Sequence, residues 1–529
     1  MDEEIDSAEI DRQINDCPRR SEKWSLAVRA QIALFFGVCV AALCTLPNPF
    51  YDPAVQQLTF ALGALGVWRY AWWFNHALRS EYYAKRVYPK MRDRGERAWA
   101  EGWRPRHLHF MMTTYKEHRE ITERVIASIV GEIRTSGVPA TIWLGSSDSY
   151  DENVIQDWLR AHCADDDITL RIIRQDVGGK RAAIGIVLRA MSRLPVKRDD
   201  LIIFMDGDFV LEPGAVRACL PLFKVFPDLQ AVTTDEEVVV LGPKWVLSWL
   251  RMRFAQRRLA MQSHSVSGRV LTLTGRMSVF RANHLLKREF MRLLEADFLN
   301  HWLWGSFRFL SGDDKSTWYY LLGQGSRMLY VPDALGYTIE VIEGSGLPRM
   351  VQNFRRWSGN MLRNGARAIR YGPRRMPFFI WWCLIDQRLA IWTMLVSPVL
   401  VVCTAVLNSW MFLLSYAVFI AVTRMLLALV LFRYSRRVDM LYPWILYFNQ
   451  LINASVKVYS LWRLSKQKWS NRGAQSAGFG GDAWLERGRN AMAAWCTTMS
   501  VAMLVLFAIV YADLVPLPTS FTVRTAFGL

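Results

Sequence analysis

Several stretches of this chain stay apolar for about twenty residues, the length an α-helix needs to cross the hydrocarbon core of a bilayer. The first runs from 26 to 46, with Arg29 and Gln31 only near its start, and the second occupies 58–78, interrupted by Arg69. Two more, 387–407 and 410–432, and a last one at 491–512 lie in the C-terminal part. A chain with this pattern folds around a membrane. Composition agrees: 52% of the residues are hydrophobic, which excludes a disordered or collagen-like chain. Lys and Arg number 65 against 47 Asp and Glu, a net charge of +18, as expected for basic cytoplasmic loops. Arg19, Arg20 and Lys23 precede the first pair of runs and Arg79, Lys85 and Arg86 follow it, while 47–57 carries no Lys or Arg. The positive-inside rule puts both flanks in the cytoplasm and the hairpin tip outside. Residues 1–25 read as a charged cytoplasmic tail, not as a cleavable signal peptide.

The run 441–462 is ambiguous. It is long enough to span, but it contains Asn449, Gln450, Asn453, Ser455 and Lys457, and both flanks are basic. An interfacial helix keeps both flanks inside and gives five crossings with an external C-terminus; a sixth crossing is the alternative. Between 85 and 345 there is no spanning segment. Apolar strands are expected at Leu108–Tyr115, Thr141–Ser146, Ile168–Ile173 and Leu201–Met205, alternating with helices at 118–134, 151–162 and 180–193. This order predicts an α/β domain with a mostly parallel sheet. Residues 349–375 hold eight Arg and no acid, with apolar residues at Met350, Phe354, Trp357, Met361 and Leu362, the pattern of an amphipathic helix on the membrane face. The expected layout is a tail (1–25), two spans (26–84), the α/β domain (85–345), interface helices (346–386), two spans (387–432), an interfacial and loop region (433–490), and a final span with its tail (491–529). The eight Cys show no CxxC and the eight His no ligand spacing, so both read as packing residues.

Met205-Asp206-Gly207-Asp208 closes the strand Leu201–Met205. Two carboxylates one residue apart can hold Mg²⁺ or Mn²⁺ against a diphosphate, and the carboxyl end of a strand is where open α/β sheets bind ligands. Ser311-Gly312-Asp313-Asp314-Lys315 is a second acidic pair, expected just before a helix at 316–323. It suits either a helix N-terminus or a general base that takes a proton from an attacking hydroxyl. Gly178-Gly179-Lys180-Arg181 opens the helix 180–193 and can bind phosphate there. Thr113-Thr114-Tyr115-Lys116-Glu117 ends the first strand and can touch a nucleotide. In Arg356-Trp357 an indole can stack on a sugar and a guanidinium can meet a leaving diphosphate.

This set resembles the processive family 2 glycosyltransferases, to which cellulose and hyaluronan synthases belong. The stretches GVWRYAWW (66–73), RFAQRRLAMQS (253–263), RVLTLTGRMSVFRA (269–282), EADFLNHW (295–302), FLSGDDKSTW (309–318), YVPDA (330–334), RRWSGNMLRN (355–364) and DQRLAIWT (386–393) are similar to those of bacterial alginate (mannuronan) synthases. The resemblance implies a cytoplasmic GT-A domain inserted in a helical membrane domain of a bacterial inner membrane. It implies an inverting enzyme that polymerises a nucleotide sugar and translocates the product. Asp206 and Asp208 would hold the metal-bound nucleotide diphosphate. Thr114, Glu117, Asp148 and Lys180 would line the nucleotide-sugar site, and Thr274, Gly275 and Arg276 would lie near the acceptor sugar. Asp314, with Asp313, would be the general base, and Arg356 and Trp357 would complete a QxxRW-type element. At its Gln position this chain has Asn353, with Gln352 one residue earlier. Trp469 and Arg472 would belong to a gating loop. Mannuronan, a polyanion, would need a cationic path, for which Arg69, Arg388 and Arg424 are candidates. A β-glucan or hyaluronan-type synthase using a UDP-sugar is the alternative, and a transporter with a regulatory domain is a more distant one. Control by cyclic-di-GMP would come from a partner subunit, since no PilZ-like domain is visible after 490. The basic charge adjoins membrane segments and does not imply nucleic acid.

Overall fold

The computed structural model describes residues 5–19, 24–45, 53–164, 166–175, 179–309, 312–342, 344–407, 409–466, 468–469, 473–474, 476–478 and 483–511. The α/β domain is built on strands β1 (Leu108–Thr113), β2 (Ala140–Ser146), β3 (Ile168–Arg174), β4 (Leu201–Asp206), β5 (Phe209–Leu211), β6 (Leu229–Leu241), β7 (Met277–Arg281) and β10 (Arg327–Val341). A separate hairpin is formed by β8 (Phe298–His301) and β9 (Gly305–Phe309). The main sheet runs β3-β2-β1-β4-β7-β6-β10-β5. The pairs β3–β2, β2–β1, β1–β4 and β6–β10 are parallel, while β7 is antiparallel to both its neighbours and β5 is antiparallel to β10. The four expected strands and three expected helices are present within a few residues, the helices as Arg119–Ser136, Ser149–His162 and Lys180–Met191.

Both faces of the sheet are buried, so its strands read as continuous apolar runs. In β1, Phe110 and Met112 face one core with Val125 and Ile129 of the helix Arg119–Ser136. Met111 faces the other, with Ile184, Val187 and Leu188 of the helix Lys180–Met191 and with Trp318. Shifting β1 by one residue would exchange the two sets.

Three helices among the described residues are long and apolar enough to cross a membrane: Phe378–Leu407, Met411–Phe432 and Ala483–Val510. The helix Leu26–Cys44 adds a shorter apolar element, and Pro53–Tyr82 carries the second expected run. The chain is a multi-pass membrane protein. The half-buried arginines of these helices have partners inside the protein: Arg69 Nη1 lies 2.5 Å from Asp386 Oδ1, Arg424 donates to Tyr70 Oη at 3.2 Å, and Arg388 donates to the Leu362 carbonyl. The helix Tyr442–Leu461 packs beside two of the spans but also rests on the α/β domain. Trp249 Nε1 donates to Asn449 Oδ1 at 2.9 Å, and Trp304 Nε1 donates to the Trp462 carbonyl at 2.8 Å. The charged N-terminal stretch is itself folded. Its helix Ser7–Asn15 buries Ile10, and Gln13 exchanges two hydrogen bonds with the backbone of Val240 in β6. All eight cysteines are free.

The Arg-rich segment forms the interface helix Gly346–Ile369. Its arginines do not all face a lipid surface as the pattern implied. Arg363 is buried and donates to Asn360, and Arg367 pairs with Asp297 at 2.9 Å. The buried Asp297 carboxylate attracts Arg367 more strongly than lipid headgroups screened by water would.

The domain and the membrane helices are locked together at Asp235-Glu236-Glu237, three acids buried side by side in β6. Arg258, from the helix Lys244–Ser265, reaches Asp235 at 2.8 Å and Glu237 at 2.5 Å. Arg436, just past the span Met411–Phe432, reaches Asp235 at 2.7 Å and donates to the Pro18 carbonyl at 2.9 Å. Burial alone would raise the Asp235 pKa, but Arg258 and Arg436 outweigh it and bring it to about 2. A carboxyl depressed in the fold stabilises it above its unfolded pKa of about 3.9. That contribution is lost as pH falls from there through about 2. Asp235→Ala leaves two buried guanidiniums short of a partner and is expected to cost about 3–5 kcal/mol. Denaturant titration in mixed micelles measures that loss. The difference from wild type should shrink between about pH 4 and pH 2, and a constant difference across that window would contradict the assignment.

Candidate active site

The chain leaves β4 at the centre of the sheet and re-enters it as β5 at the far edge, so Asp206-Gly207-Asp208 forms the turn at a switch in strand order. Gly207 N–H donates to the Thr113 carbonyl at 3.1 Å. A Cβ at 207 would lie 3.1 Å from both Thr113 O and Thr114 Cβ, closer than most such contacts, so glycine lets the turn lie tight against β1.

Lys180, the first residue of its helix, points into this turn. Its Nζ lies 2.5 Å from Asp206 Oδ1 and 3.2 Å from Asp313 Oδ2, and it donates to the Gly275 carbonyl at 3.4 Å. Gly275 also faces Asp314, since a Cβ there would lie 3.9 Å from Asp314 Cβ. The two acidic pairs, more than a hundred residues apart in sequence, thus meet across one ammonium. The helix expected at 316–323 begins at Asp313, so both Asp313 and Asp314 sit in its first turn, where the helix dipole favours negative charge. Asn360 of the interface helix packs directly on Gly312, where a Cβ would fall 2.6 Å from its side chain. Arg181 turns away from any phosphate: it donates to the carbonyls of Leu293 at 2.6 Å and Leu294 at 2.8 Å and to Ser316 Oγ at 2.7 Å.

Protonation follows this geometry. Burial opposes charge on Lys180, but Asp206 and Asp313 outweigh it and raise its pKa. Asp313 is held low despite burial because Lys180 is beside it. Asp314 is pushed up by burial and by the neighbouring Asp313. Asp208 is pushed up to about 6 by burial and by Asp206, and its Oδ1 is buried with no hydrogen-bond partner. That orphaned oxygen, beside a second carboxylate, is a donor set suited to a hard divalent cation.

Thr274 and Arg276 line the same region. Arg276 bridges Glu236 at 3.0 Å and Glu340 at 3.3 Å, and its carbonyl accepts from Asp206 N–H at 3.1 Å. Thr274 N–H donates to Thr233 Oγ1 at 3.0 Å. Arg356 lies within electrostatic reach of Glu340, Arg276 and Asp314. Its neighbour Asn353, at the Gln position of the motif, accepts from Arg356 at 3.4 Å, so the shorter amide still reaches the guanidinium. Trp357 stacks on Trp249, with ring centres 6.2 Å apart.

Thr114 and Glu117 border the turn through Asp151. This fully buried carboxylate accepts from Thr114 Oγ1 and from Lys116 N–H, both at 2.9 Å, and from the Glu117 N–H. It holds Lys116 at φ +53°, a backbone conformation a non-glycine residue keeps only with such support. Asp148 caps the helix Ser149–His162 by accepting from Tyr150 N–H at 2.9 Å, and its other oxygen lies 3.9 Å from Lys116 Nζ, beside Thr114 and Glu117. Trp469 lies in the short strand Lys468–Trp469, beside the interface helix, and Arg472 falls outside the described residues, as does Gly178. The strand Ser476–Gly478 adds to β9, which leads toward Gly312.

Sequence reasoning passed over Glu236, Asp151 and Asp297. Only Glu236, inside a strand, carried a local signal; Asp151 in a polar helix start and Asp297 in a connector look like ordinary surface acids until the fold buries them. Elsewhere, His76, His264 and Cys383 bring donor atoms within 4.8 Å of one another. His264 is held uncharged first by burial, then by His76, Arg79 and Lys315, and the same cations oppose a metal ion there.

The sheet and the paired carboxylates at its switch point define a nucleotide-sugar transferase of GT-A-like fold. The fold is similar to that of the mannosyltransferase PcManGT from Pyrobaculum calidifontis, described in complex with GDP-Man and Mn2+, with a TM-score of 0.50, 17% identity, and coverage of 76% of this chain and 98% of that one. The model of the family "Glycosyltransferase like family 2" matches residues 105–360. Glycosyltransferase alg8 of Pseudomonas syringae pv. tomato is 35% identical over 471 residues, covering 89% of this chain and 92% of its own. Glycosyltransferase alg8 of Azotobacter vinelandii is 34% identical over 445 residues, covering 83% and 89%. The chain belongs to glycosyltransferase family 2 and is an Alg8-like membrane glycosyltransferase. It therefore uses a nucleotide-sugar donor and an acceptor, and the transporter reading falls away.

Gly207→Ala should force Thr113 and Thr114 apart from the turn, costing about 1–3 kcal/mol of stability. It should weaken binding of a nucleoside diphosphate with Mn2+ by about tenfold or more, measured by calorimetry on the detergent-purified protein. Unchanged binding would show that the turn does not carry the nucleotide.

Proposed function

We propose that this protein is a processive, inverting polysaccharide synthase that makes mannuronan from GDP-mannuronic acid and passes it through its own membrane helices. The observation that supports this reading most is the meeting of Asp206, Asp313 and Asp314 around Lys180, beside an interface helix that leads into the spans. The likeness to the two alg8 glycosyltransferases over most of the chain supports the choice of polymer.

Asp314 takes the proton of the acceptor hydroxyl as its oxygen attacks C1 of the donor. The new C–O bond forms as the bond from C1 to the diphosphate oxygen breaks, and the diphosphate leaves with the electron pair. One displacement turns an α-linked donor into a β-linked product. A raised carboxyl pKa suits a general base, because it makes proton transfer to Asp314 more favourable. Asp206 and Asp208 would hold Mg²⁺ or Mn²⁺, which when bound neutralises the charge developing on the diphosphate. Lys180 holds Asp206 and Asp313 in place and offers a positive charge to the phosphates. Arg276 and Arg356 add positive charge around the leaving group. Trp357 offers an indole face to the terminal sugar.

In this reading the α/β domain is cytoplasmic, at a bacterial inner membrane. The helix Tyr442–Leu461, tied to the α/β domain by Trp249 on Asn449 and by Trp304 on the Trp462 carbonyl just past its end, stays on that side in this reading, giving five crossings. Cyclic-di-GMP control would act through a partner subunit.

Purified protein with Mg²⁺ and separate GDP-mannuronic acid, UDP-glucose and UDP-glucuronic acid tests the assignment. The expected result is a polymer from GDP-mannuronic acid that an alginate lyase degrades. A glucanase-sensitive product from UDP-glucose would instead support the β-glucan reading. Asp314→Asn should reduce sugar transfer by about 10²–10⁴-fold, the contribution typical of a positioned general base.

A further inference from the structure

Among the described residues, three half-buried cations close to Trp357 have no carboxylate partner. Arg253 projects from the helix Lys244–Ser265 with its guanidinium 5.4 Å from the centre of the Trp357 ring and 5.7 Å from that of Phe354. Arg388, on the span Phe378–Leu407, donates to the carbonyl of Leu362 on the same interface helix. Lys457, on the helix Tyr442–Leu461, lies within electrostatic reach of both Arg253 and Arg388. It is followed by Val458, which packs in one cluster with Leu362 and Ile391. Among the described residues no carboxylate acts on any of the three. Three like charges from three helices therefore converge along the interface helix from Trp357 to Leu362. Burial alone brings the Arg253 pKa down to about 10.

Charges gathered in this way repel one another and are poorly solvated, so they favour arrival of an anion. They sit where a chain that has left the transfer site would pass: next to an indole that can stack on a sugar, on the helix that joins the site to the spans. Two of them are arginines, whose planar fork matches a carboxylate, and a uronate residue carries one carboxylate per sugar.

We propose that Arg253, Arg388 and Lys457 form a carboxylate-binding subsite beside Trp357 that holds the uronate groups of the growing polymer and so selects an acidic chain over a neutral one. This rests on the synthase reading above and assigns the residues that sense the acidity of its product.

The test uses the full-length protein in lipid nanodiscs and two labelled probes, a β-1,4-linked mannuronate hexamer and neutral β-1,4-mannohexaose. Wild type should bind the acidic hexamer about tenfold more tightly, and added salt should shrink that preference. R253Q/K457Q should lose about tenfold in affinity for the acidic hexamer and bind the neutral one as wild type does. R253K/K457R, which keeps both charges, should restore the preference. Equal binding of the two hexamers by wild type overturns the subsite, and so does a folded R253Q/K457Q that keeps the preference. The wild-type comparison decides even where the double variant fails to fold. Sugar transfer by wild type in the same preparation separates the two levels. Transfer of a sugar together with equal hexamer binding removes only the subsite, whereas no transfer from any nucleotide sugar removes the synthase reading as well.

Discussion

A charge taken out of water must meet its opposite, and that requirement organises this protein more than any other. Isolated, a buried carboxylate or guanidinium costs several kcal/mol; paired and hydrogen-bonded, it becomes a directional link between elements far apart in sequence. Asp235 and Glu237 in β6 draw in Arg258 and Arg436, joining the sheet, a long helix and the end of a membrane span. Glu236 between them draws Arg257 and Arg276 toward the transfer site. Asp297 draws Arg367 from the interface helix, and Asp386 draws Arg69 from one apolar helix to another. The same rule makes the site itself: without Lys180, Asp206 and Asp313 would repel each other across the cleft they now share.

These links fix where the chemistry stands relative to the bilayer. Gly312 and Asn360 touch, so the acidic pair is set directly against the interface helix. That helix carries Trp357 and hands on to the spans Phe378–Leu407 and Met411–Phe432. The glycosyltransferase domain is thereby held against the helices that are long and apolar enough to span a membrane. Arg253, Arg388 and Lys457, which among the described residues have no carboxylate partner, stand along the interface helix.

Much of the domain could be read locally. Leu108–Thr113, Ala140–Ser146, Ile168–Arg174 and Leu201–Asp206 are short apolar runs ended by polar residues, and a parallel sheet buried on both faces leaves that mark in the chain. Asp206-Gly207-Asp208 was legible because its two acids stand one residue apart at a strand end, and Asp313-Asp314 because the two are adjacent. β5, only three residues long, was not, since its place at the far edge depends on β10, more than a hundred residues away. Nor was Asp151, whose hold on Lys116 joins the first turn of a helix to the loop after β1, 35 residues away. The inward turn of Arg363 and Arg367 was hidden because a row of arginines looks the same on a lipid face as on a helix packed against acids.

Periodicity, apolar length and adjacent acids are properties of neighbouring residues, so the chain alone determined that there would be a parallel-rich α/β domain among long apolar helices, with two acidic pairs in that domain. Which pairs would meet, and which cation would stand between them, is a matter of long-range closure. Lys180 is 26 residues before Asp206 and 133 before Asp313, counting along the chain. Only the folded sheet, by bringing the start of one helix against the end of β4 and the start of another, makes the three into one site.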